Sequence, residues 1–322
     1  MKKIAAVFLA IASLAHAQSN PLWHEQKVKN YLPHMTWPEV QDLLTRTDMV
    51  IFPVASIEQH GPQLPVGTDY LAAVEQAKLI AQKTDVLVAP ILLPGLSPYH
   101  MEFPGTITLS SDTIQRVFFE AAQSLIHHGF RRFLILNGHT GDQYISRYLA
   151  DRINQETEAI AIDLNDAAAL IGSNTGGGGG TPRQAARFDR HAGVGETSSG
   201  LYLFPSLVEL QNATPNQVKL PGYLEEMLPQ VKANDPVASF VFLAEALKPL
   251  DTGKRTSTRE MTATGVWSER DTHDSTEAQG RSASSRLVDR SVEFIDRWKR
   301  LRPADPLSAR QKYAPPANPA AQ

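Results

Sequence analysis

Four short apolar runs alternate with helical segments along the chain, and this alternation limits the folds that it can adopt. The sequence predicts strands at residues 49–54, 86–89, 132–136 and 159–164, with helices at 70–82, 113–127 and 143–155 between them. Such a succession of strands and helices is typical of a parallel sheet covered by helices on both faces. We therefore expect an α/β fold, namely a single three-layer α/β/α domain with a mostly parallel sheet.

The N-terminal residues 1–17 have the pattern of a secretory signal peptide. Lys2 and Lys3 precede an apolar run, and Ala15-His16-Ala17 offers small residues at the positions that signal peptidase recognises. We expect cleavage after Ala17 and a periplasmic or secreted protein; a retained N-terminal anchor is the alternative. No later apolar run approaches the roughly 20 residues needed to cross a bilayer, so we expect no membrane span.

The composition outside the predicted signal divides the rest of the chain into three parts. Residues 18–37 are predicted to form an irregular N-terminal arm, residues 38–302 the domain, and residues 303–322 a Pro/Ala-rich tail. Five consecutive glycines, Gly176–Gly180, predict a mobile loop inside the domain.

The cysteine count and the charge exclude several classes of site and partner. The chain of 322 residues has no cysteine, so any metal ion must be held by His, Asp or Glu. Its net charge is −3, and removal of Lys2 and Lys3 leaves 29 basic against 34 acidic residues, or −5. A mildly acidic chain without a basic block is not expected to bind nucleic acid.

Two carboxylates and an imidazole follow the first predicted strand closely. A strand ending in Glu58-x-His60 would place both side chains on one face, and the Gly- and Pro-rich segment after them can fold Asp69 back toward them. Carboxylate oxygens and imidazole nitrogens together suit zinc, manganese or iron better than calcium.

Two later segments carry similar side chains. Asn137-Gly138-His139 follows another predicted strand, and His191-Ala192-Gly193 precedes Glu196-Thr197-Ser198. Taken singly, Asn137-Gly138-His139 could be a turn, the segment at His191 a solvated charged patch, and Glu196-Thr197-Ser198 the start of a helix. Because ligands of open α/β sheets bind beyond the carboxyl ends of the strands, we expect the motifs of Glu58 and His139, which both follow predicted strands, to share one site instead.

In this order and separation, the three motifs resemble the creatininase (creatinine amidohydrolase) family over residues 37–267. The resemblance implies a creatininase-like fold and a dinuclear site with two divalent metal ions, most commonly zinc, with manganese or iron in some members. Carried onto this chain, Glu58 and His139 would hold one ion and His60 the other, with Asp69 bridging them.

The chain departs from the creatinine-hydrolysing members of the family at two neighbouring positions. Those members carry an aromatic residue and then a glutamate after the Asn-Gly-His histidine, whereas this chain has Thr140 and Gly141. Other members complete the second ion's ligands with the glutamate that corresponds to Glu196, so we expect Glu196 here unless Asp142 reaches the ion. The departure argues against creatinine as the substrate.

The expected chemistry is the hydrolysis of an amide. Two cations bridged by a carboxylate lower the pKa of a shared water toward neutrality and polarise a carbonyl group. His191 is the predicted proton shuttle, with Asp189 orienting its ring and raising its pKa. His100, Glu102, Thr140 and Trp267 are predicted to line the substrate pocket.

The sequence therefore predicts an exported, metal-dependent amidohydrolase that cleaves a C–N bond of a small, cyclic or open-chain amide. The alternatives are a peptide or formamide hydrolase with the same site and a metal-loaded binding protein without turnover; the presence of His191 argues against the last. The resemblance also implies a homo-oligomer, a hexamer in many members.

Overall fold

The computed structural model describes residues 25–173, 189–215, 217–219, 225–233, 235–246 and 257–304. The predicted signal peptide, the loop at Gly176–Gly180 and almost all of the predicted tail lie outside these residues.

Four parallel strands form the central sheet, in the order β2-β1-β3-β4. Their bounds are β1 Met49–Val54, β2 Leu87–Val88, β3 Arg132–Asn137 and β4 Ile160–Asp163. The pairing of β1 with β3 runs from Met49 opposite Arg132 to Val54 opposite Asn137. The N-terminal arm extends this sheet at its β2 edge, where Tyr31 forms a parallel bridge with Val88.

Helices lie on both faces of the sheet and also form the region that follows it. They are α1 Trp37–Leu44, α2 Thr68–Thr84, α3 Ser111–His128, α4 Gln143–Glu156, α5 Leu164–Gly172, α6 Val194–Leu203, α7 Leu228–Lys232, α8 Pro236–Ala246, α9 Thr258–Met261 and α10 Glu277–Leu301. Two short antiparallel strands, β5 Asp189–His191 and β6 Trp267–Ser268, pair outside the main sheet.

Alternate residues of β1 enter different hydrophobic cores. Val50, Phe52 and Val54 pack with side chains of α1, α3 and α4 on one face. Met49 and Ile51 pack with α2, α5 and α10 on the other face. A strand buried on both faces has no polar side, which explains its uninterrupted apolar sequence. The predicted three-layer α/β fold is thus confirmed.

The last helix, α10, begins at Glu277. The hydroxyl of Thr276 caps it by accepting a hydrogen bond from the backbone N–H of Gln279 at 3.2 Å. Gly280, a weak helix former, lies in its first turns because α10 crosses α6 there. A Cβ atom at Gly280 would lie 1.9 Å from the carbonyl oxygen of Ser198.

The strand order places a crevice where β1 and β3 end. The chain runs from β1 to β2 on one side and then crosses to β3 on the other side of β1. Such a reversal separates the loops that follow the two strands, and ligands of α/β sheets bind in the gap. Among the described residues, no helix is long and apolar enough to span a membrane.

Candidate metal centre

The loops after β1 and β3 bring Glu58 and His139 together beyond the sheet. The strand β1 ends at Val54, so the Glu58-x-His60 pair lies in a loop instead of the strand end that we expected. The backbone N–H of Glu58 donates to the carbonyl of Val66 at 2.8 Å and holds this loop closed. Oε2 of Glu58 lies 3.5 Å from Nε2 of His139.

Asp69 lies between the two histidines of these loops. It is in the first turn of α2, where the helix dipole favours an ionised carboxylate. Its Oδ1 is 3.1 Å from Nε2 of His60, and its Oδ2 is 3.0 Å from Nδ1 of His139. Oδ2 is buried and accepts no hydrogen bond of acceptable geometry from the described residues. A buried carboxylate oxygen without a donor is expected where a cation binds.

Glu196 reaches the same place from the first turn of α6. Its Oε2 lies 3.6 Å from Nε2 of His60 and accepts a hydrogen bond of 2.6 Å from the backbone N–H of Ala192. The carboxylates Asp69 and Glu196 therefore approach the same nitrogen of His60.

Three histidines of the centre are oriented in the same way. Each places one ring nitrogen within hydrogen-bonding distance of a backbone carbonyl: His60 Nδ1 at 3.0 Å from Glu58, His139 Nε2 at 3.2 Å from Leu96, and His191 Nε2 at 2.7 Å from Gln59. A carbonyl oxygen only accepts, so these nitrogens carry the hydrogen. The other nitrogen of each ring faces a carboxylate, as in metal-ligating histidines, although Glu58 approaches His139 from its Nε2 side.

The close approach of these groups shifts their pKa values. Burial disfavours a charged imidazole, but Asp69, Glu196 and Glu58 raise the pKa of His60 to about 10. Burial also disfavours a charged Glu58, yet the nearby histidines hold its pKa well below the usual range. Partial burial and the neighbouring carboxylates raise the pKa of Glu196 to about 7. Divalent cations would compete with these protons for the same side chains.

The donor set fits two divalent cations. The ligands expected from the sequence are three carboxylates and two histidines, with no thiolate, and Asp69 offers one oxygen toward each of these histidines, His60 and His139. Three groups of side chains have donor atoms close enough to hold an ion: Glu58 with His60 and Asp69, Glu58 with His100 and His191, and His60 with His191 and Glu196. Oxygen and imidazole donors of this kind suit zinc or manganese.

Asp142 is turned away from these groups. Its Oδ1 accepts the backbone N–H of Leu96 at 2.9 Å. Its Oδ2 is buried and, like that of Asp69, has no hydrogen-bond partner among the described residues, but it faces Gly95, where a Cβ atom would lie 2.4 Å away. Burial raises the pKa of Asp142 to about 6. Among the described residues, neither Asp142 nor His139 belongs to the three groups that could hold an ion, but His139 contacts Asp69 whereas Asp142 binds the backbone.

His191 and His100 stack beside the centre, with ring centroids 4.3 Å apart. Nδ1 of His191 lies 3.6 Å from Oε1 of Glu58 and 4.0 Å from Oε2 of Glu196. Nε2 of His100 lies 3.4 Å from Oε1 of Glu58. Burial and the neighbouring His100 and His60 lower the pKa of His191 well below its usual value, contrary to our expectation of a raised pKa.

Asp189 has different partners from those that we expected. Its two carboxylate oxygens accept the backbone N–H groups of Val194 and Gly195 at 3.0 and 3.1 Å. These N–H groups belong to the first turn of α6 and have no acceptor within the helix. Asp189 therefore positions the helix that carries Glu196, and the carbonyl of Gln59 orients His191 instead.

A cavity of about 170 Å³ opens over these side chains. The predicted pocket residues His100, Thr140 and Trp267 line it. Glu102 does not: it is exposed, because the turn after the short helix Pro98–His100 directs His100 inward and the following residues outward.

Comparison with known proteins identifies the family. The model of the family described as "Creatininase: Creatinine amidohydrolase" matches residues 33–295. The chain belongs to the creatininase family. The predicted membership is thus confirmed over most of the chain, and it includes all three motifs.

Several characterised proteins are similar in sequence. A 3-dehydro-scyllo-inosose hydrolase of Thermotoga maritima is 30% identical over 199 residues, 61% of this chain and 62% of that protein. A mycofactocin precursor peptide peptidase of Mycolicibacterium smegmatis is 30% identical over 171 residues, 51% of this chain and 62% of that protein. A creatinine amidohydrolase of Pseudomonas putida is 27% identical over 201 residues, 56% of this chain and 74% of that protein. The first two matches thus span slightly less than two thirds of those relatives.

Solved structures of the creatininase family share the fold. A putative creatinine amidohydrolase from Bacteroides fragilis aligns with a TM-score of 0.59 at 22% identity, covering 87% of this chain and 99% of that chain. A mutant creatininase described as the Zn-Zn type aligns with a TM-score of 0.58 at 20% identity, covering 87% and 100%. A manganese creatininase aligns with a TM-score of 0.58 at 19% identity, covering 86% and 100%.

Gly141 stands where the resemblance places the glutamate of creatinine-hydrolysing members of the creatininase family. A Cβ atom here would lie 2.4 Å from Nε2 of His139, 2.7 Å from the carbonyl oxygen of Leu96 and 2.7 Å from the Tyr99 hydroxyl. The surrounding structure thus has no room for any side chain at residue 141 without rearrangement. Glu196 occupies the vicinity of His60 instead.

Sequence analysis missed several residues that border this creatininase-family site. Gln59 is buried within the Glu58-x-His60 motif, and its amide nitrogen lies 3.0 Å from Nδ1 of His100 and 3.1 Å from the carbonyl of Gly265. Tyr99 and Arg190 line the cavity beside predicted residues. The one signal in the sequence was that each of them directly precedes a histidine selected for the site, namely His60, His100 or His191.

Proposed function

We propose that the protein is an exported, metal-dependent amidohydrolase that cleaves a C–N bond of a small amide with the help of two divalent cations. The position of Asp69 between His60 and His139, with its Oδ2 buried and lacking a hydrogen-bond donor among the described residues, carries this proposal. It agrees with the membership in a family named for amide hydrolysis.

Five side chains would hold the cations. Glu58, His139 and Asp69 would bind one ion, and His60, Asp69 and Glu196 the other, with zinc or manganese favoured by the donor atoms. When bound, the two ions would supply an activated water and polarise the carbonyl of the substrate.

His191 would move the proton that hydrolysis requires. Its Nε2 is occupied by the carbonyl of Gln59, so only Nδ1, on the cavity side, can exchange a proton. Its lowered pKa keeps the ring neutral near pH 7, which suits a group that first accepts a proton. Nδ1 would take a proton from the attacking water and pass it to the departing nitrogen.

The substrate is expected to be an amide other than creatinine, because no glutamate is present or can fit at Gly141. A peptide or formamide bond is the second candidate. The similarity to a protein named as a peptide peptidase supports it, and the same ligands would serve that reaction. Intact candidate ligands and His191 argue against a binding protein without turnover.

We also propose that the chain acts in the periplasm or outside the cell, as a homo-oligomer. The signal-peptide pattern of residues 1–17 supports export. The indole of Trp37, which is 78% exposed, is available for a contact between subunits.

Elemental analysis combined with a hydrolysis screen tests the proposed function. The protein lacking residues 1–17 should contain about two equivalents of zinc or manganese. It should hydrolyse at least one substrate among lactams, cyclic ureides, N-formyl amino acids, N-acetyl amino acids and dipeptides, with creatinine among the poorest. A chelator should abolish turnover, and added zinc or manganese should restore it. Two bound ions without hydrolysis across this screen would favour a binding protein.

A further inference from the structure

Arg190 and His191 are neighbours in β5, yet both line the same cavity. In a regular strand, consecutive side chains point to opposite faces. The pairing of β5 with β6 explains the exception. Asp189 lies opposite Ser268 and His191 opposite Trp267, so two steps along β5 match one step along β6. Arg190 is the extra residue of a β-bulge, and bulges near active sites redirect side chains in this way.

One hydrogen bond of the Arg190 guanidinium to another described residue is resolved. Its Nη2 donates to the hydroxyl of Ser239 in α8 at 2.7 Å. No carboxylate of the described residues forms an ion pair with it, whereas Arg147 forms two hydrogen bonds with Asp166 at 2.9 and 2.8 Å. A guanidinium has five N–H donors and keeps its charge in proteins, so Arg190 can still bind an anion.

The wall beside Arg190 is apolar. Val231, Phe242, Met261 and Trp267 line the same cavity, and the rings of Phe242 and Trp267 have centroids 4.5 Å apart. The cavity thus combines the candidate metal ligands, a hydrophobic surface and one cation, Arg190, that has no carboxylate partner in the described part of the chain.

The charges of the cavity are compatible with an anionic substrate. Glu58, Asp69 and Glu196 supply three negative charges, which two divalent cations would exceed by one. Arg190 would then add a second net positive charge beside the apolar wall. A carboxylate matches the guanidinium fork, since two parallel hydrogen bonds can form between them.

We propose that Arg190 is a specificity-determining residue that binds a carboxylate on the substrate, next to an apolar side chain that contacts Phe242 and Trp267. The substrate class would be an amide whose nitrogen belongs to an apolar amino acid with a free carboxylate, such as an N-acyl amino acid or the last residue of a short peptide. This inference rests on the proposed function, because it names the substrate of the same site.

Matched pairs of substrates test it, with the metal-loaded protein. Each pair differs only in the carboxylate: N-acetyl-L-phenylalanine and its carboxamide, N-formyl-L-phenylalanine and its carboxamide, and Gly-Phe and its carboxamide. The unchanged protein should prefer the carboxylate member. Arg190→Gln should lower kcat/KM for that member by about 10- to 100-fold, mainly through KM, the range expected for hydrogen bonds to a charged group. It should change the carboxamide member less than about threefold.

Two further variants separate the role of the fork from a general loss of structure. Arg190→Lys should recover part of the activity on carboxylates, because it keeps the charge without the fork. Arg116→Gln, on the exposed surface of α3, is the matched control and should leave both members unchanged. Metal content should be equal in all four proteins.

Binding of a compound without an amide makes the test independent of turnover. Calorimetry should show 3-phenylpropanoate binding at least about tenfold more tightly to the unchanged protein than to Arg190→Gln, and 3-phenylpropanamide binding to both alike. Equal binding of 3-phenylpropanoate to both proteins, or equal losses by Arg190→Gln on both members of a pair, would overturn the assignment of Arg190 while leaving the proposed function intact. Selective binding without hydrolysis of any pair would retain Arg190 as an anion site and count against the proposed function.

Discussion

The carboxylate of Glu196 is held by the backbone of Ala192, whose N–H donates to Oε2 at 2.6 Å. Ala192 has a φ of +52°, in the left-handed region that costs a residue other than glycine about 1 kcal/mol. Its carbonyl accepts the side-chain amide of Gln63 at 2.7 Å. The strained backbone of Ala192, in the His-Ala-Gly motif, thus holds the carboxylate of Glu196 toward His60.

Substitution at Ala192 should separate strain from size. Ala192→Gly should be nearly neutral, because relief of the left-handed strain offsets the greater freedom of glycine when unfolded. Ala192→Val should lower the free energy of unfolding by about 2 kcal/mol or more, since a β-branched residue tolerates neither this φ nor the buried position. Chemical denaturation measures the stability and elemental analysis the metal content. A valine variant with normal stability and two ions would show that the conformation of Ala192 is not needed.

Removal of the carboxylate of Asp69 should lower the metal content of the site. Asp69→Ala should lose at least one ion and nearly all hydrolysis with the fold intact, because the carboxylate offsets the repulsion between two cations. Circular dichroism and elemental analysis give the two readouts. Two retained ions with normal turnover would exclude Asp69 as a bridging ligand.

Glu196, and not Asp142, should complete the second ion's ligands. Glu196→Gln should reduce the metal content by about one equivalent, because its carboxylate lies 3.6 Å from Nε2 of His60. Asp142→Asn is a matched control with a buried carboxyl group that binds the backbone of Leu96 instead. If only the Asp142 variant lost metal, the assignment of the second ion's ligands would be reversed.

His191→Ala should keep its metal and lose about 10²- to 10⁴-fold in kcat, the usual contribution of general acid–base catalysis. The loss should shrink for substrates with good leaving groups, which need little protonation. His273→Ala, at an exposed histidine paired with Asp271, is the control. Loss of an ion from the His191 variant would instead make His191 a ligand, consistent with its distance of 3.6 Å from Glu58.

Metal affinity should rise with pH between pH 6 and 8. In the metal-free protein, Asp69 and Glu196 raise the pKa of His60 to about 10 against the effect of burial, and partial burial raises the pKa of Glu196 to about 7. Both groups must release protons before they bind a cation, so a lower pH favours the metal-free form. For each proton that is released on metal binding, the affinity should fall about tenfold for every unit by which the pH is lowered. Titration against a competing chelator measures this slope; an affinity independent of pH would exclude these two groups as ligands.

The central sheet and the sequence positions of the candidate ligands could be predicted because local patterns encode them. The apolar sequence Met49–Val54 reflects burial on both faces, and its bounds agree with the strand observed. Glu58 and His139 follow neighbouring strands directly, so sequence alone brings them to one edge of the sheet.

Contacts between distant segments could not be predicted in the same way. The strands β5 and β6 have three and two residues, too few for a periodic pattern, and their bulge depends on a partner far along the chain. The role of Asp189 was predicted wrongly. We assigned its carboxylate to His191 because the two residues are close in sequence, whereas it accepts hydrogen bonds from the first backbone N–H groups of α6. Glu102 was selected for its chemistry alone, and the local turn exposes it.

The crossing of α10 over α6 makes the candidate metal centre depend on the C-terminal helix. Gly280 lets α10 approach the backbone at Ser198, two residues beyond Glu196, and the hydroxyl of Ser198 donates to the side chain of Gln279 at 3.0 Å. A chain truncated before Glu277 would contain every candidate ligand and still lack the support of the helix that carries Glu196. Retention of the second ion would then distinguish a fully synthesised and folded molecule from a fragment. The metal content would report whether the C-terminal helix is present and packed.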